Sequence, residues 1–438
     1  MSLVDEHGNP HSTTSDDAIG TWDRAVDIYQ TYNEDPYPHV DAALEADPDF
    51  VMGHAFHAAG MLMGADGKNR PKIAERLETL NRLAPRANDR ERGHIAALNA
   101  WHEGDWPRAQ GCFGHVLAAY PRDAYGLHVA HFLDFFQGDS RITRDRIARV
   151  LPFWDTTVTG HNFITGLYAF ALEEDGDYPR AEERGLYAWD CDNRDAWAVH
   201  ALAHVYEMEG RIEDGLAWLN DTWDHWADGV FAVHNAWHKT LFHLEQGEYG
   251  DALDLYDAVL FRPGDDYVSE VHDCAALLWR LTLLGVDVSE RWREQLPLWQ
   301  ARIGDATFAF NDMHCMMALA ACGDEAGQTE LLTTLEKTAE GETTNAMMTR
   351  HIGLPVCRGM QAWAQKRYGD ALEALMPIRY HTHLFGGSHA QRDVIGLTLI
   401  ESAFAAGDGS AARMLAAERA ARRPSSPINR RYLEQAGI

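Results

Sequence analysis

The chain of 438 residues lacks any run of about eighteen apolar residues, which is the length that a helix needs to cross a bilayer. Its first twenty residues are polar and acidic, and they lack the apolar core of a secretory signal. We therefore expect a cytoplasmic protein that does not enter a membrane.

Closely spaced cysteines are also missing. None of the six cysteines forms a C-x-x-C pair, and they lie far apart, at Cys112, Cys191, Cys274, Cys315, Cys322 and Cys357. This spacing argues against a zinc knuckle and against a disulfide framework. Free thiols in a reducing cytosol are the simpler interpretation.

Positive charge is scarce as well. The chain has 38 lysines and arginines against 67 aspartates and glutamates, so its formal net charge is −29. Binding to nucleic acid or to an anionic membrane is therefore not expected. The P-loop, G-x-G-x-x-G and G-x-S-x-G motifs are absent too, which disfavours nucleotide-dependent chemistry and serine hydrolysis on a standard scaffold.

What the sequence does contain is a turn that returns about every 34 to 43 residues, a period typical of helical repeats. An alanine stands five residues after the turn position in the clearest copies, which are at Gly104, Gly176, Gly247, Lys366 and Gly407. Between the turns, apolar residues recur three and four positions apart, and no segment alternates as a strand does. The pattern predicts an all-α fold of about ten or eleven stacked helical hairpins.

The repeats predict one continuous solenoid over residues 17–438, preceded by a flexible segment of residues 1–16. The strongest copies lie between residues 90 and 260, and the less regular ones between residues 286 and 348. Residues 400–438 are rich in arginine, and we interpret them as a polar end-cap.

Two passages resemble the signature of the tetratricopeptide repeat protein 38-like family. They are HALAHVYEMEGR at His200–Arg211 and FAVHNAWHK at Phe231–Lys239, which runs on to Leu244 and Glu245. The resemblance extends to about residue 400, and it implies a tetratricopeptide-type superhelix whose inner helices line a concave groove. Ten hairpins of this type imply a tunnel or a closed pocket. The resemblance implies little about activity.

Polar side chains follow one face of the first motif. At 100° per residue an arc of about 60° carries His200, His204, Glu207 and Arg211. The second motif repeats the two histidines 34 residues later. Because stacked hairpins place equivalent positions side by side, we expect the two sets to converge.

One interpretation of this cluster is a metal-free pocket for a small polar or aromatic compound. In it, His200 or His204 acts as the general base and Glu207 orients that histidine. Arg211 and His238 stabilise developing negative charge. This hypothesis predicts a hydrolase or lyase without a cofactor, and the sequence favours it over the alternatives.

Two other interpretations stay open. The histidines form hydrogen-bonded ladders between helices and have only a structural role. Alternatively, the two H-x-x-x-H pairs bind a metal ion, as in zincins, although the glutamate of the H-E-x-x-H motif is missing.

Further residues are candidates to line the pocket and bind a substrate. They lie in the two motifs or at corresponding places of other repeats, and they are Arg211, His234, Asn235, Trp237, Lys239, His161, His272, Asp312 and His314. The glycine-bearing run from His381 to His389 is a loop that could close over a ligand.

A peptide-binding scaffold without catalysis is the alternative from a different functional class. Such a groove is expected to present lysine or asparagine clamps for a peptide, whereas the inner positions here carry histidine and glutamate. The oligomeric state has no signal in the sequence.

Overall fold

The computed structural model describes residues 3–438, and these residues are mostly helical. Up to residue 209 the helices are α1 (Asp16–Thr31), α2 (Tyr37–Ala46), α3 (Val51–Gly64), α4 (Arg70–Leu83), α5 (Asp89–His102), α6 (Trp106–Ala119), α7 (Ala124–Phe136), α8 (Ser140–Val150), α9 (His161–Glu174), α10 (Tyr178–Cys191) and α11 (Ala196–Glu209). From residue 212 they are α12 (Ile212–Asp221), α13 (Trp223–Trp226), α14 (Ala232–Gln246), α15 (Tyr249–Leu255), α16 (Val268–Leu283), α17 (Ser289–Gln300), α18 (Ala309–Ala321), α19 (Glu325–Ala339), α20 (Thr344–Met348), α21 (Leu354–Ala364), α22 (Tyr368–Leu375), α23 (His389–Ala405), α24 (Gly409–Arg422) and α25 (Pro427–Ala436). The predicted all-α fold is confirmed.

The helices are short, and tighter or wider turns interrupt them. Four 3₁₀ turns lie at Gly67–Asn69, Leu151–Phe153, Met376–Ile378 and Thr382–Phe385. Two π-helical turns, at Tyr256–Leu260 and Thr349–Gly353, extend α15 and join α20 to α21. Across residues 3–438, no helix combines the length and the apolar character that crossing a bilayer requires.

The turn at Gly176 explains the repeating sequence signal. Gly176 has φ +83°, a left-handed conformation that ends α9 and that residues with a Cβ adopt at a cost. Ala181 is fully buried in the hairpin of α9 and α10, where a larger side chain has no room. In the copy before α6, Asp105 caps the helix by accepting from the Arg108 amide at 3.1 Å. Lys366 takes the glycine position in another copy, with φ +60°.

Residues 3–11 form a short β-hairpin where the sequence suggests a flexible segment. The strands β1 (Leu3–Val4) and β2 (Pro10–His11) are antiparallel. Asp5 Oδ1 accepts from the backbone amide of Asn9 at 2.7 Å, and Asp5 Oδ2 lies 3.3 Å from His11 Nε2. Polar side chains that look solvated in the sequence are therefore used to hold the turn.

The helices pack into two compact units. The first comprises the chain up to Leu202 together with Thr222–Phe231, and the second comprises Ala203–Asp221 and Ala232–Ile438. The boundary therefore falls within α11, although the sequence shows no linker.

In the first unit, consecutive helices pack as hairpins, such as α5 with α6 and α9 with α10. A buried ion network stabilises this packing. Arg90 donates to both oxygens of Asp123 at 2.8 and 3.0 Å, and His94 Nε2 lies 2.7 Å from Asp123 Oδ2. Burial alone would raise the pKa of Asp123, but Arg90 and His94 hold it well below its usual value.

In the second unit, α16 is the central helix, and it packs against α14, α18 and α23. Trp279 on α16 is fully buried, and its indole nitrogen donates to Thr398 Oγ1 on α23 at 3.0 Å. Alternate helices of this part, α14, α16 and α18, thus pack side by side, which brings their polar side chains within reach.

Candidate functional site

Three histidine side chains of the second unit converge. His204 lies on α11, and His234 and His238 lie one turn apart on α14. The ring centroids of His204 and His238 are 4.3 Å apart, and those of His234 and His238 are 4.9 Å apart. Each of the three rings offers one nitrogen atom, and these nitrogen atoms lie within 4.8 Å of one another. The 34-residue spacing of His204 and His238 therefore brings equivalent positions of two repeats together.

Two carboxylates contact the histidines of α14. His238 Nδ1 lies 3.3 Å from Glu207 Oε2, and His234 Nδ1 lies 2.8 Å from Asp273 Oδ2. An ionised carboxylate can only accept a hydrogen bond, so Nδ1 of each ring is the donor when Glu207 and Asp273 carry their charge. In this tautomer Nε2 carries the lone pair, which is the nitrogen that binds a metal ion or takes up a proton.

The histidines lie in a sheltered environment. His204 and His238 are fully buried, and the side chain of His234 is 18% exposed. Burial lowers the pKa of His238 well below its ordinary value, and the neighbouring His204, His234 and Arg280 lower it further. His238 is therefore a neutral imidazole at physiological pH.

Glu207 joins the histidines to the C-terminal region. Its Oε1 accepts from Arg423 Nη1 at 3.4 Å, and Arg423 Nη2 donates to Glu245 Oε1 at 2.8 Å. Glu245 also accepts from Ser426 Oγ and from the backbone amide of Ile428 at 3.0 Å. Burial raises the pKa of Glu207, and the guanidinium of Arg423 opposes this rise. These groups form one continuous buried polar network.

Arg211 pairs with Glu209 and Asp214 at the turn after α11, whereas the helical spacing predicts that it lies on the face of His204 and Glu207. Helix α11 ends at Glu209, and Gly210 with φ +70° turns the chain, so that the helix face does not continue to Arg211. The Arg211 guanidinium instead lies 2.8 Å from Asp214 Oδ2 and over the Tyr206 ring. Arg423 supplies the guanidinium at Glu207, and no local pattern in the sequence indicates this partner.

Of the remaining candidates on α14, Asn235 and Trp237 are buried beside the histidines, and Lys239 is half-buried. Trp237 is fully buried, and its ring stacks on that of His234 with centroids 5.5 Å apart. Arg280 lies over the Trp237 ring at 5.4 Å. Asn235 is fully buried, and within residues 3–438 its side-chain amide has no hydrogen-bond partner. Burial lowers the pKa of Lys239. Trp237 thus supports a histidine ring and packs in the core.

His272 and His314 form a second polar pair, between α16 and α18, and the buried Asp312 lies on α18 two residues before His314. The rings of His272 and His314 have centroids 4.7 Å apart, and His314 Nδ1 donates to the Phe310 carbonyl at 2.8 Å. Burial raises the pKa of Asp312 to about 7 and lowers the pKa of His314 to about 3. This pair is linked to the first cluster through α16, because His272 precedes Asp273 in the chain.

Two candidate residues belong to the first unit. His161 Nε2 lies 3.2 Å from the Tyr187 hydroxyl. His200, one helical turn before His204 on α11, packs edge-on against Phe231 with ring centroids 4.9 Å apart. Their roles in a ligand pocket stay predictions from the sequence.

No protein-family model matches the chain. The resemblance to the tetratricopeptide repeat protein 38-like family therefore stays a prediction from its two motifs, and function has to be argued from the geometry of the second unit.

Proposed function

We propose that the second unit contains a metal-dependent hydrolase centre in which His204, His234 and His238 bind one zinc ion. The observation that carries this proposal is the convergence of three imidazole nitrogens within 4.8 Å of one another. Three histidines are a known ligand set of catalytic zinc, and they leave a fourth position for water or substrate. The substrate class is a small polar compound with a hydrolysable bond.

The two carboxylates support this assignment. Histidine ligands of metal ions usually donate their other ring N–H to a carboxylate, which fixes the tautomer and makes the ligand nitrogen more basic. Glu207 and Asp273 occupy this place at His238 and His234. Two of the three proposed ligands therefore already have the outer partner that zinc sites have.

Metal binding requires only a small rearrangement of the rings. Zinc–nitrogen bonds of about 2.0–2.1 Å in a tetrahedral site separate the nitrogen atoms by about 3.4 Å. Since the observed nitrogen atoms lie within 4.8 Å of one another, they have to approach by at most about 1.4 Å. Rotation of the imidazole rings can supply this movement.

The protonation state of His238 favours a metal ligand over a general base. A general base works best when its pKa lies near the working pH. The pKa of His238 lies well below its ordinary value, and the neutral imidazole is the form that binds metal. When bound, zinc lowers the pKa of a coordinated water to about 7 and so supplies the nucleophile that the histidine cannot activate well.

The direct test is metal analysis of the purified protein, followed by titration of the metal-free protein with Co²⁺, whose visible spectrum reports tetrahedral coordination. We expect about one ion per chain. The parent and His351→Ala should bind it, because His351 is an exposed histidine of the same unit. His204→Gln and His238→Gln should bind it weakly or not at all, while circular dichroism shows that they are folded.

Two outcomes contradict the proposal. If His238→Gln binds Co²⁺ as tightly as the parent, the metal lies elsewhere. If the parent binds no metal, the metal-free acid–base pocket is the function to pursue.

Hydrolysis itself is tested with a panel of small esters and amides, with and without a chelator. We expect turnover that stops when the metal is removed and returns with zinc. Turnover that the chelator leaves unchanged would instead support the metal-free hydrolase.

A further inference from the structure

The second unit contains a cavity of about 260 Å³ whose wall is rich in arginine. The 3₁₀ turn Thr382–Phe385 and parts of α23, α24 and α25 contribute to the wall. Its cations, which define the arginine cavity, are Arg379, Arg392, Arg419, Arg422 and Arg423. The carboxylates in the wall are Asp393 and Glu418. In a chain with net charge −29, this is a local excess of positive charge.

Two of the five arginines form ion pairs with carboxylates of the same wall. Arg419 donates to both oxygens of Asp393, at 2.7 and 2.9 Å. Arg379 lies 3.4 Å from both oxygens of Glu418. Each wall carboxylate is therefore matched by one arginine, which leaves three arginines of the wall to consider.

Those three have different surroundings. Arg423 binds Glu207 and Glu245, which lie outside this cavity. Arg392 donates to the Gly387 carbonyl and to the ring of His389. Arg422 is exposed, and no ion pair of Arg422 is found in the part of the chain that the structure describes. The lining of the cavity thus contains five guanidinium groups and two carboxylates.

The electrostatic effect of this excess is visible at Asp393. Burial of a carboxyl group by itself raises its pKa. The guanidinium groups of Arg419, Arg423 and Arg280 nevertheless hold the pKa of the buried Asp393 below its usual value. The guanidinium groups around the cavity therefore stabilise a negative charge that lies beside them.

We infer that the arginine cavity binds a small organic anion that carries carboxylate or phosphate groups. Guanidinium forks match both groups, because they donate two parallel hydrogen bonds to paired oxygen atoms. A volume of about 260 Å³ corresponds to about nine waters of the liquid, so the ligand is a small metabolite and not a peptide.

An aromatic ring stands beside the charged wall. The Tyr380 side chain also lines the cavity, its residue is 61% exposed, and the Arg379 guanidinium lies 4.1 Å from its ring centroid. This pair offers a flat surface next to the cations, on which the organic part of the anion can lie.

The test is calorimetric titration of the full chain with citrate and with inorganic phosphate, and with glycerol as an uncharged control. The chain is first freed of metal by dialysis against a chelator and then against plain buffer, so that the result does not depend on the proposed zinc site. We expect an anion to bind and the affinity to fall as salt rises. The stronger of the two ligands tells whether carboxylate or phosphate is preferred.

Two charge reversals of equal size make the test specific. Arg422→Glu changes the cavity wall, whereas Arg430→Glu changes an exposed arginine that does not line the cavity. We expect Arg422→Glu to weaken binding by about tenfold, as the loss of a charged hydrogen bond does, and Arg430→Glu to bind as the parent does. Thermal unfolding without ligand shows that both variants are folded.

The inference is overturned if neither anion binds to the parent. It is also overturned if the two variants bind equally well or equally badly, because binding then follows the total charge of the chain and not this cavity.

Discussion

The 2.8 Å contact between His234 Nδ1 and Asp273 Oδ2 holds an imidazole of α14 against α16. Asp273 is buried, so water competes little for its carboxylate. The contact decides which nitrogen of His234 is protonated, and hence which one is available next to His204 and His238. A change at Asp273 is therefore the mildest way to disturb the proposed centre without removing a ligand.

We expect Asp273→Asn to lower zinc affinity by about 10–100-fold, the usual effect of losing an outer carboxylate partner. Competition with a chromophoric chelator measures this affinity. Asp287→Asn, at an exposed aspartate near α17, is the control and should leave the affinity unchanged. An unchanged affinity in a folded Asp273→Asn variant would show that Asp273 does not support a metal ligand.

We expect the buried Arg423, which pairs with Glu207 and Glu245, to contribute far more to the free energy of unfolding than a surface arginine does. Arg423→Met leaves Glu207 and Glu245 without their counter-charge, and we expect the free energy of unfolding to fall by about 3–5 kcal/mol. Arg211→Met removes surface ion pairs, and we expect a change of at most about 1 kcal/mol. Urea unfolding compares the two variants, and equal losses would contradict the assigned role of Arg423.

Asp312 should make stability depend on pH. Its pKa is raised to about 7 in the folded protein, whereas the unfolded chain restores a value of about 3.9. The folded state therefore binds this proton more tightly, and its contribution to stability is lost as pH rises from about 4 through 7. The loss is on the order of 4 kcal/mol.

Asp312→Asn tests this pH dependence, because the asparagine side chain cannot ionise. We expect it to equal the parent near pH 4 and to be more stable than the parent at pH 8, in urea unfolding followed across that range. Asp254→Asn, at an exposed position on α15, controls for the loss of one charge. A difference between Asp312→Asn and the parent that does not change with pH would contradict the raised pKa.

We expect opposite changes in stability when the left-handed residue of two turns is substituted, a loss at Gly176 and a gain at Lys366. No atom lies within 4 Å of a Cβ built on Gly176, so Gly176→Ala is disfavoured by the backbone alone, by about 1 kcal/mol. Lys366→Gly should stabilise its turn by up to about the same amount, since it removes a Cβ at φ +60°. Thermal unfolding measures both changes. A neutral Gly176→Ala would mean that the repeat signal has another cause.

The features that repeat along the chain could be predicted from the sequence. The turn glycines and the alanines behind them mark each hairpin, because the left-handed turn and the tight helix contact demand small residues. The period also brought His204 and His238 together, since equivalent positions of neighbouring hairpins are adjacent. Glu207 was expected to orient a histidine, and it contacts His238 on the neighbouring helix.

The partners that do not repeat could not be predicted. The helical period places Arg211 on the same face as His204 and Glu207, but α11 ends at Glu209, two residues before it. Arg423 lies 216 residues from Glu207, in a segment that looks like a solvated cap. Asp273 meets His234 only because α14 and α16 pack side by side. Such contacts depend on tertiary packing, and neither local spacing nor composition encodes them.

The sequence separation of 178 between Glu245 and Arg423 also bears on the order of folding. Contacts between distant segments form slowly, because a long loop has to close first. Arg423 lies in the segment that follows α24. Until this segment docks, Glu245 on α14 and Glu207 on α11 both lack the arginine that pairs with them. The polar network around Glu207 is therefore completed only when the last helices have docked, and we expect the proposed zinc site to reach its full affinity only at that point.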